Sequence, residues 1–121
     1  MPDRAEEYYR EALSLEPGNP ERIDNLAYFL LDNERNTDEG MKLVTEALKA
    51  SPGHFSFLHT KGWGLYKMGK YDEALQVLQE SWDLRREKAF YEHVPFLHLE
   101  AAKKAVAGLG ASAESDFNYC Y

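Results

Sequence analysis

An internal period constrains this chain more than any other feature. Ala12, Ala47 and Ser81 are spaced 35 and 34 residues apart, and so are the following Leu13, Leu48 and Trp82. Pro17 and Pro52 repeat the first of those steps. Self-similarity at this interval marks a stacked helical array, in which each unit buries its apolar face only against its neighbours. Gly62, Tyr71, Ala74, Leu78 and Ser81 show how one unit is built. Their spacing suits a helix, a tight turn at Gly69 and a second helix packed back as a hairpin. Arrays of this kind usually present a surface rather than perform a reaction.

Taken in order, the chain reads as six helices and no strand, because apolar residues recur at helical spacing and period-two alternation is absent. Ala5, Tyr8, Tyr9, Ala12, Leu13 and Leu15 form the first stripe, with Asp3 as its expected cap. Asn19 caps the second helix, and Pro20 takes its first position, where a missing N–H costs nothing. Ile23, Leu26, Ala27, Phe29, Leu30 and Leu31 line that helix, which stops near Asn33. Thr37 is the expected cap of the third, whose stripe is Met41, Val44, Ala47 and Leu48. The fourth runs from about His54 to Met68, and the fifth from about Tyr71 to Leu84. Arg85-Arg86-Glu87-Lys88 then reads as a charged exit. The last helix is expected to start near Pro95 and to end at Gly108 and Gly110.

Composition narrows the partners. Fourteen Lys and Arg against 21 Asp and Glu give a net charge of −7, which repels phosphate backbones, so nucleic acid is set aside. No apolar run approaches the roughly 20 residues that span a bilayer, so no membrane role is expected. The start, Met-Pro-Asp-Arg, lacks an apolar signal core. Cys120 is the single cysteine, which rules out an internal disulfide framework and suits a reducing compartment. A cytoplasmic location is expected, or a periplasmic one if the chain is a piece of a longer protein.

These residues resemble the tetratricopeptide repeat family. The family pattern places a large residue, Leu, Gly and Tyr on one helix and Ala, an aromatic and Ala on the next, followed by Pro. Leu58, Gly62, Leu65, Tyr71, Ala74, Leu78 and Ser81 fill it best, and Lys67-Met68-Gly69-Lys70-Tyr71-Asp72-Glu73-Ala74-Leu75 is close to the family's turn. A middle unit supplies Leu26, Ala27, Leu30, Gly40, Val44, Ala47 and Pro52, and Ala5, Tyr9, Ala12 and Pro17 match half a unit. Phe55 to Leu84 also looks like repeat proteins of bacterial type. Gly40 replaces the usual alanine, at a helix cost of up to about 1 kcal/mol. Lys61 stands where leucine is usual.

The resemblance implies an all-α, right-handed superhelical array of antiparallel hairpins over residues 1–110. It would comprise a half repeat at 3–17, repeats at 19–52 and 54–86, and a capping helix at 94–108. Residues 111–121 read as a flexible tail or an added extension. The first helix lacks the preceding helix of its own unit, which leaves a face for more chain or for a second copy.

The resemblance also implies a function, the binding of a partner's peptide segment in a concave groove, as a scaffold or adaptor. Groove positions carried over are Asp24, Asn25 and Tyr28 from the second helix, and His59, Thr60, Trp63, Tyr66 and Lys67 from the fourth. Leu97 joins them from the last helix, with His93 if the segment before Pro95 is near. Tyr28 and Trp63 stand at equivalent positions, 35 residues apart, and suggest a shared aromatic wall. The chaperone-tail carboxylate clamp of some members is not expected, since only Asn25 suits it. A peptide with apolar and basic residues fits better. The alternative is self-association through the first helix or the Phe117-Tyr119-Tyr121 tail, giving a monomer or weak homodimer. An enzyme is not expected. His54, His59, His93 and His98 include no i, i+4 metal pair and read as chance or surface residues, and no cofactor loop is present.

Overall fold

The computed structural model describes residues 2–88 and 92–108. Six helices follow one another among them: α1 (Pro2–Leu15), α2 (Pro20–Asp32), α3 (Thr37–Ala50), α4 (Phe55–Lys67), α5 (Tyr71–Glu87) and α6 (His93–Val106). No strand occurs among the described residues. α2 pairs with α3 and α4 pairs with α5, while α2 and α3 both touch α4, so one hairpin nests on the next. α1 lies against α2, and α6 lies against α5 with a lighter contact to α4. These end helices stand as the second helix of one unit and the first helix of another. The all-helical, hairpin-stacked architecture read from the sequence is observed.

Both hairpins turn by the same device. After α2 the N–H groups of Glu34 and Arg35 donate to the carbonyls of Leu31 and Leu30 at 3.2 and 2.9 Å. After α4 those of Gly69 and Lys70 donate to Tyr66 and Leu65 at 3.0 and 2.9 Å. This paired closure needs a left-handed residue just beyond the helix. Gly69 provides it at φ 82°, and Glu34, its counterpart in the preceding unit, does so at φ 53°.

Several helix ends differ from expectation. Asn36, not Thr37, caps α3: it sits at φ 62° and its side chain accepts from Glu39 N at 3.2 Å. Asn tolerates that left-handed backbone, whereas β-branched Thr does not. Asp3 lies within the first turn of α1 instead of capping it, and its carboxylate accepts from Arg35 at 2.8 Å. α6 begins at His93, two residues before Pro95. Pro95 is tolerated there because N–H groups of the first turn have no partner inside the helix anyway. α5 continues through the supposed charged exit to Glu87. Asn19 and Pro20 behave as expected, with the Asn19 side chain accepting from Glu21 N at 2.9 Å. The tail at 111–121 lies outside the described residues.

Small residues set how closely the helices approach. A Cβ on Gly62 would stand 2.7 Å from Leu78 Cγ, and one on Gly40 would stand 2.7 Å from Leu31 Cγ. Gly40 therefore gives up helix propensity for room at the α2–α3 contact. Gly64 plays a similar part where α4 meets the previous hairpin, close to Met41 and Leu31. Ile23, Ala47 and Phe57 form one buried cluster, joined by Leu13, Leu43 and Leu48. Leu78, Leu99 and Ala102 form a second, joined by Tyr66, Leu75 and Trp82. Ser81 stands where earlier units have Ala, and its hydroxyl donates to the Phe55 carbonyl at 2.7 Å.

Candidate functional site

The first helices of successive hairpins, α2 and α4, together with α6, bring their aromatic residues into one row. Tyr28 stacks on His59 at 5.7 Å between ring centres, and His59 stacks on His98 at 4.9 Å. His98 lies flat on Trp63 at 3.5 Å, with 3° between the planes, and Trp63 stacks on Tyr66 at 4.7 Å. The Trp63 indole N–H donates to Asp32 at 2.9 Å, and the Lys67 ammonium sits 5.3 Å from the ring centre. Ring faces are electron-rich, so that placement of a cation is favourable.

Burial sorts the row into floor and rim. His59, Thr60 and Trp63 are buried, whereas Tyr28, Tyr66, Lys67 and Leu97 are half-buried and Asn25 is exposed. The expected aromatic wall exists, but its tryptophan is covered by His98 and is not open. His59 Nε2 and His98 Nδ1 are 2.8 Å apart, a hydrogen bond that needs one nitrogen to be unprotonated. Burial pushes both imidazoles down to about 3, helped at His59 by His98 and then Arg85, and at His98 by Lys67. Both are neutral at ordinary pH. The reading of these histidines as chance surface residues is thus corrected for His59 and His98. His54 also has a structural task, its ring accepting from Ser56 N at 3.2 Å at the start of α4.

Beside this row lies a hollow of about 440 Å³ lined by Tyr9, Asp24, Asn25, Tyr28, Ser56, His59, Thr60, Arg85, Glu92, Val94 and Pro95. It spans α1, α2, α4, the end of α5 and the start of α6, so no single repeat builds it. Its volume falls in the range of small ligand sites. Burial pushes the Asp24 carboxyl up to about 7, with the Thr60 hydroxyl holding it down in part. That hydroxyl has one proton and also lies 3.1 Å from the Ser56 carbonyl. Oδ1 of Asp24 has no partner in the structure. Burial also pushes the Tyr28 phenol up to about 12, helped by the charges of Asp32 and Asp24, so it stays a hydrogen-bond donor.

Arg85 is the residue that sequence reasoning placed worst. It is only 2% exposed, its guanidinium lies 4.5 Å from the Phe55 ring centre, and it pairs with Glu92. A run of four charged residues gives no hint that one of them turns inward. His98 did leave a signal: Tyr28, Trp63 and His98 follow one another at 35-residue steps. A 34-residue step points instead to Leu97, for which half-burial is the observation. His93 is exposed.

Two models of the tetratricopeptide repeat family match this chain, over residues 56–90 and over residues 1–19. The first match covers α4 and α5, and the second covers α1. Both matched segments carry tetratricopeptide repeat sequence. Comparison with curated proteins gives no match. Tetratricopeptide repeats generally mediate protein–protein interaction or scaffolding. Among the described residues, no helix is long and apolar enough to cross a membrane. Nor do three His, Cys, Asp or Glu side chains among them gather to hold a metal ion.

Proposed function

We propose that this protein binds an extended or helical segment of a partner protein along α2, α4 and α6, as a scaffold or adaptor and not as an enzyme. The observation that carries the reading is the hollow of about 440 Å³, which has Tyr9, Tyr28 and Val94 as apolar surface around a polar floor. A few apolar walls with convergent polar groups are what a peptide side chain needs to be both gripped and oriented. The acidic balance of the chain favours a segment that carries apolar and basic residues.

Tyr28 is a cleaner probe than Trp63. Truncating the indole would empty a buried site at a cost of about 3–5 kcal/mol, which confuses binding with folding. Tyr28 is half-buried at the edge of the hollow. Peptides selected from a random display library on the wild-type chain should bind Tyr28→Ala and Asn25→Arg at least about tenfold more weakly, a loss of roughly 1.4 kcal/mol. Circular dichroism should be unchanged. Full affinity in both variants would count against the groove.

A second reading, self-association, is favoured by α1, where Tyr8 is 67% and Leu15 75% exposed. Light scattering after size exclusion decides it: a concentration-dependent dimer abolished by Leu15→Lys supports the reading, and a monomer throughout removes it. The Phe117-Tyr119-Tyr121 tail proposed for the same role lies outside the described residues.

A further inference from the structure

The hollow carries more than shape. We infer that it takes a positively charged side chain, the ammonium of a lysine or the guanidinium of an arginine, from the bound partner segment, with Asp24 as its counter-ion. This rests on the groove reading above and adds the chemistry of one anchor residue to it.

Asp24 is 8% exposed, and its Oδ1 has no hydrogen-bond partner. A buried carboxyl group left in that condition destabilises the fold, and a partner's charge would relieve it. The side chain stands on the partition between two adjoining hollows. The larger is the one described, and the smaller, of about 260 Å³, is lined by Glu21, Asp24, Asn25, His54, Ser56 and Phe57. The charged side chains around the two are Glu21, Asp24 and Glu92 against Arg85; Arg85 is paired with Glu92, although its buried Nε, like Asp24 Oδ1, has no hydrogen-bond partner. The balance left for a ligand is negative. Tyr9 and Tyr28 add apolar ring surface along which the methylenes of a long basic side chain can lie. An anionic group would have to compete with Glu92 for Arg85 beside a second carboxyl group, Asp24. A neutral aliphatic group would leave Asp24 as it is.

The test uses the whole chain and four blocked amino acids, the N-acetyl methylamides of lysine, arginine, norleucine and glutamate, titrated while backbone amide resonances are followed by NMR. The lysine or arginine probe is expected to move the Asp24, Asn25 and Thr60 signals saturably, and the norleucine and glutamate probes are not. Asp24→Asn keeps the shape of the side chain and should weaken the basic probe at least about tenfold. Comparison of the two basic probes tells an ammonium site from a guanidinium site.

Three outcomes overturn the inference: equal response to norleucine, response to glutamate alone (which moves the anchor to Arg85), or an unchanged affinity in Asp24→Asn. Failure here is distinguishable from failure of the groove. Library peptides without a basic residue that lose affinity in Tyr28→Ala, but bind Asp24→Asn normally, would sink the anchor and keep the groove.

Discussion

At the scale of single residues, three buried titratable groups give this protein a characteristic dependence on pH. His59 and His98 are pushed from 6.5 down to about 3 by burial, so the folded state resists protons that the unfolded chain accepts. Their contribution is present above about pH 6.5 and is lost as pH falls toward 3. Asp24 acts in the opposite sense. Its carboxyl is raised from 3.8 to about 7, so the folded state holds a proton that the unfolded chain has released. That contribution is full below about pH 4 and disappears as pH rises through 7. Two imidazoles outweigh one carboxyl, so urea melts should show stability climbing from about pH 4 to a maximum near 6.5. Asp24→Asn should raise stability at about pH 8 by something on the order of 2–4 kcal/mol and change it little at about pH 4. A profile that is flat between those limits would contradict a neutral, buried histidine pair.

At the scale of helices and turns, close approach and left-handed closure account for the hairpins. Gly62 lets α5 bring Leu78 against α4, and Gly69 closes the turn. Gly62→Ala should therefore cost about 1–3 kcal/mol despite alanine's better helix propensity, because a buried leucine must move. Glu34 holds the same left-handed position as Gly69 without glycine's freedom. Glu34→Gly should stabilise by about 0.5–1 kcal/mol, and thermal melts of the two variants should shift in opposite directions.

This scale is also where the sequence was most and least legible. The α4–α5 hairpin could be read because Gly69 and the 34-residue echo of Ala47 at Ser81 are local signals. The cap of α3 was misread because Asn36 and Thr37 are both good capping residues, and only the left-handed backbone chooses between them. In the site, Asp24, Asn25, Tyr28, His59 and Thr60 were legible from the repeat and do line one hollow. Tyr9, Arg85, Glu92, Val94 and Pro95 were not, since they arrive from α1, α5 and the start of α6. No periodicity within one unit encodes a meeting between units.

For the whole molecule, each hairpin is held by the next and the ends are held by fewer partners. α1 relies on Leu13 in the Ile23–Ala47–Phe57 cluster and on ring contact between Tyr9 and Phe29 at 5.4 Å. Ion pairs complete the hold, with Arg10 bound to Glu6 and Glu39 and Arg35 to Glu6 and Asp3. Such exposed pairs are screened by solvent and contribute little. Packing therefore does most of the fixing, and the hollow exists only while α1, α2, α4 and α6 keep their mutual positions.

The central claim is that the inner side of the nested hairpins is the working surface. Its most direct test is a map of backbone amide shifts on the intact chain saturated with a library-selected peptide. The account predicts that the large shifts cluster on Asn25, Tyr28, Thr60 and Val94. Shifts centred on Thr45 and Lys49 of α3, or on Gln76 and Glu80 of α5, would place binding on the outer helices and contradict it.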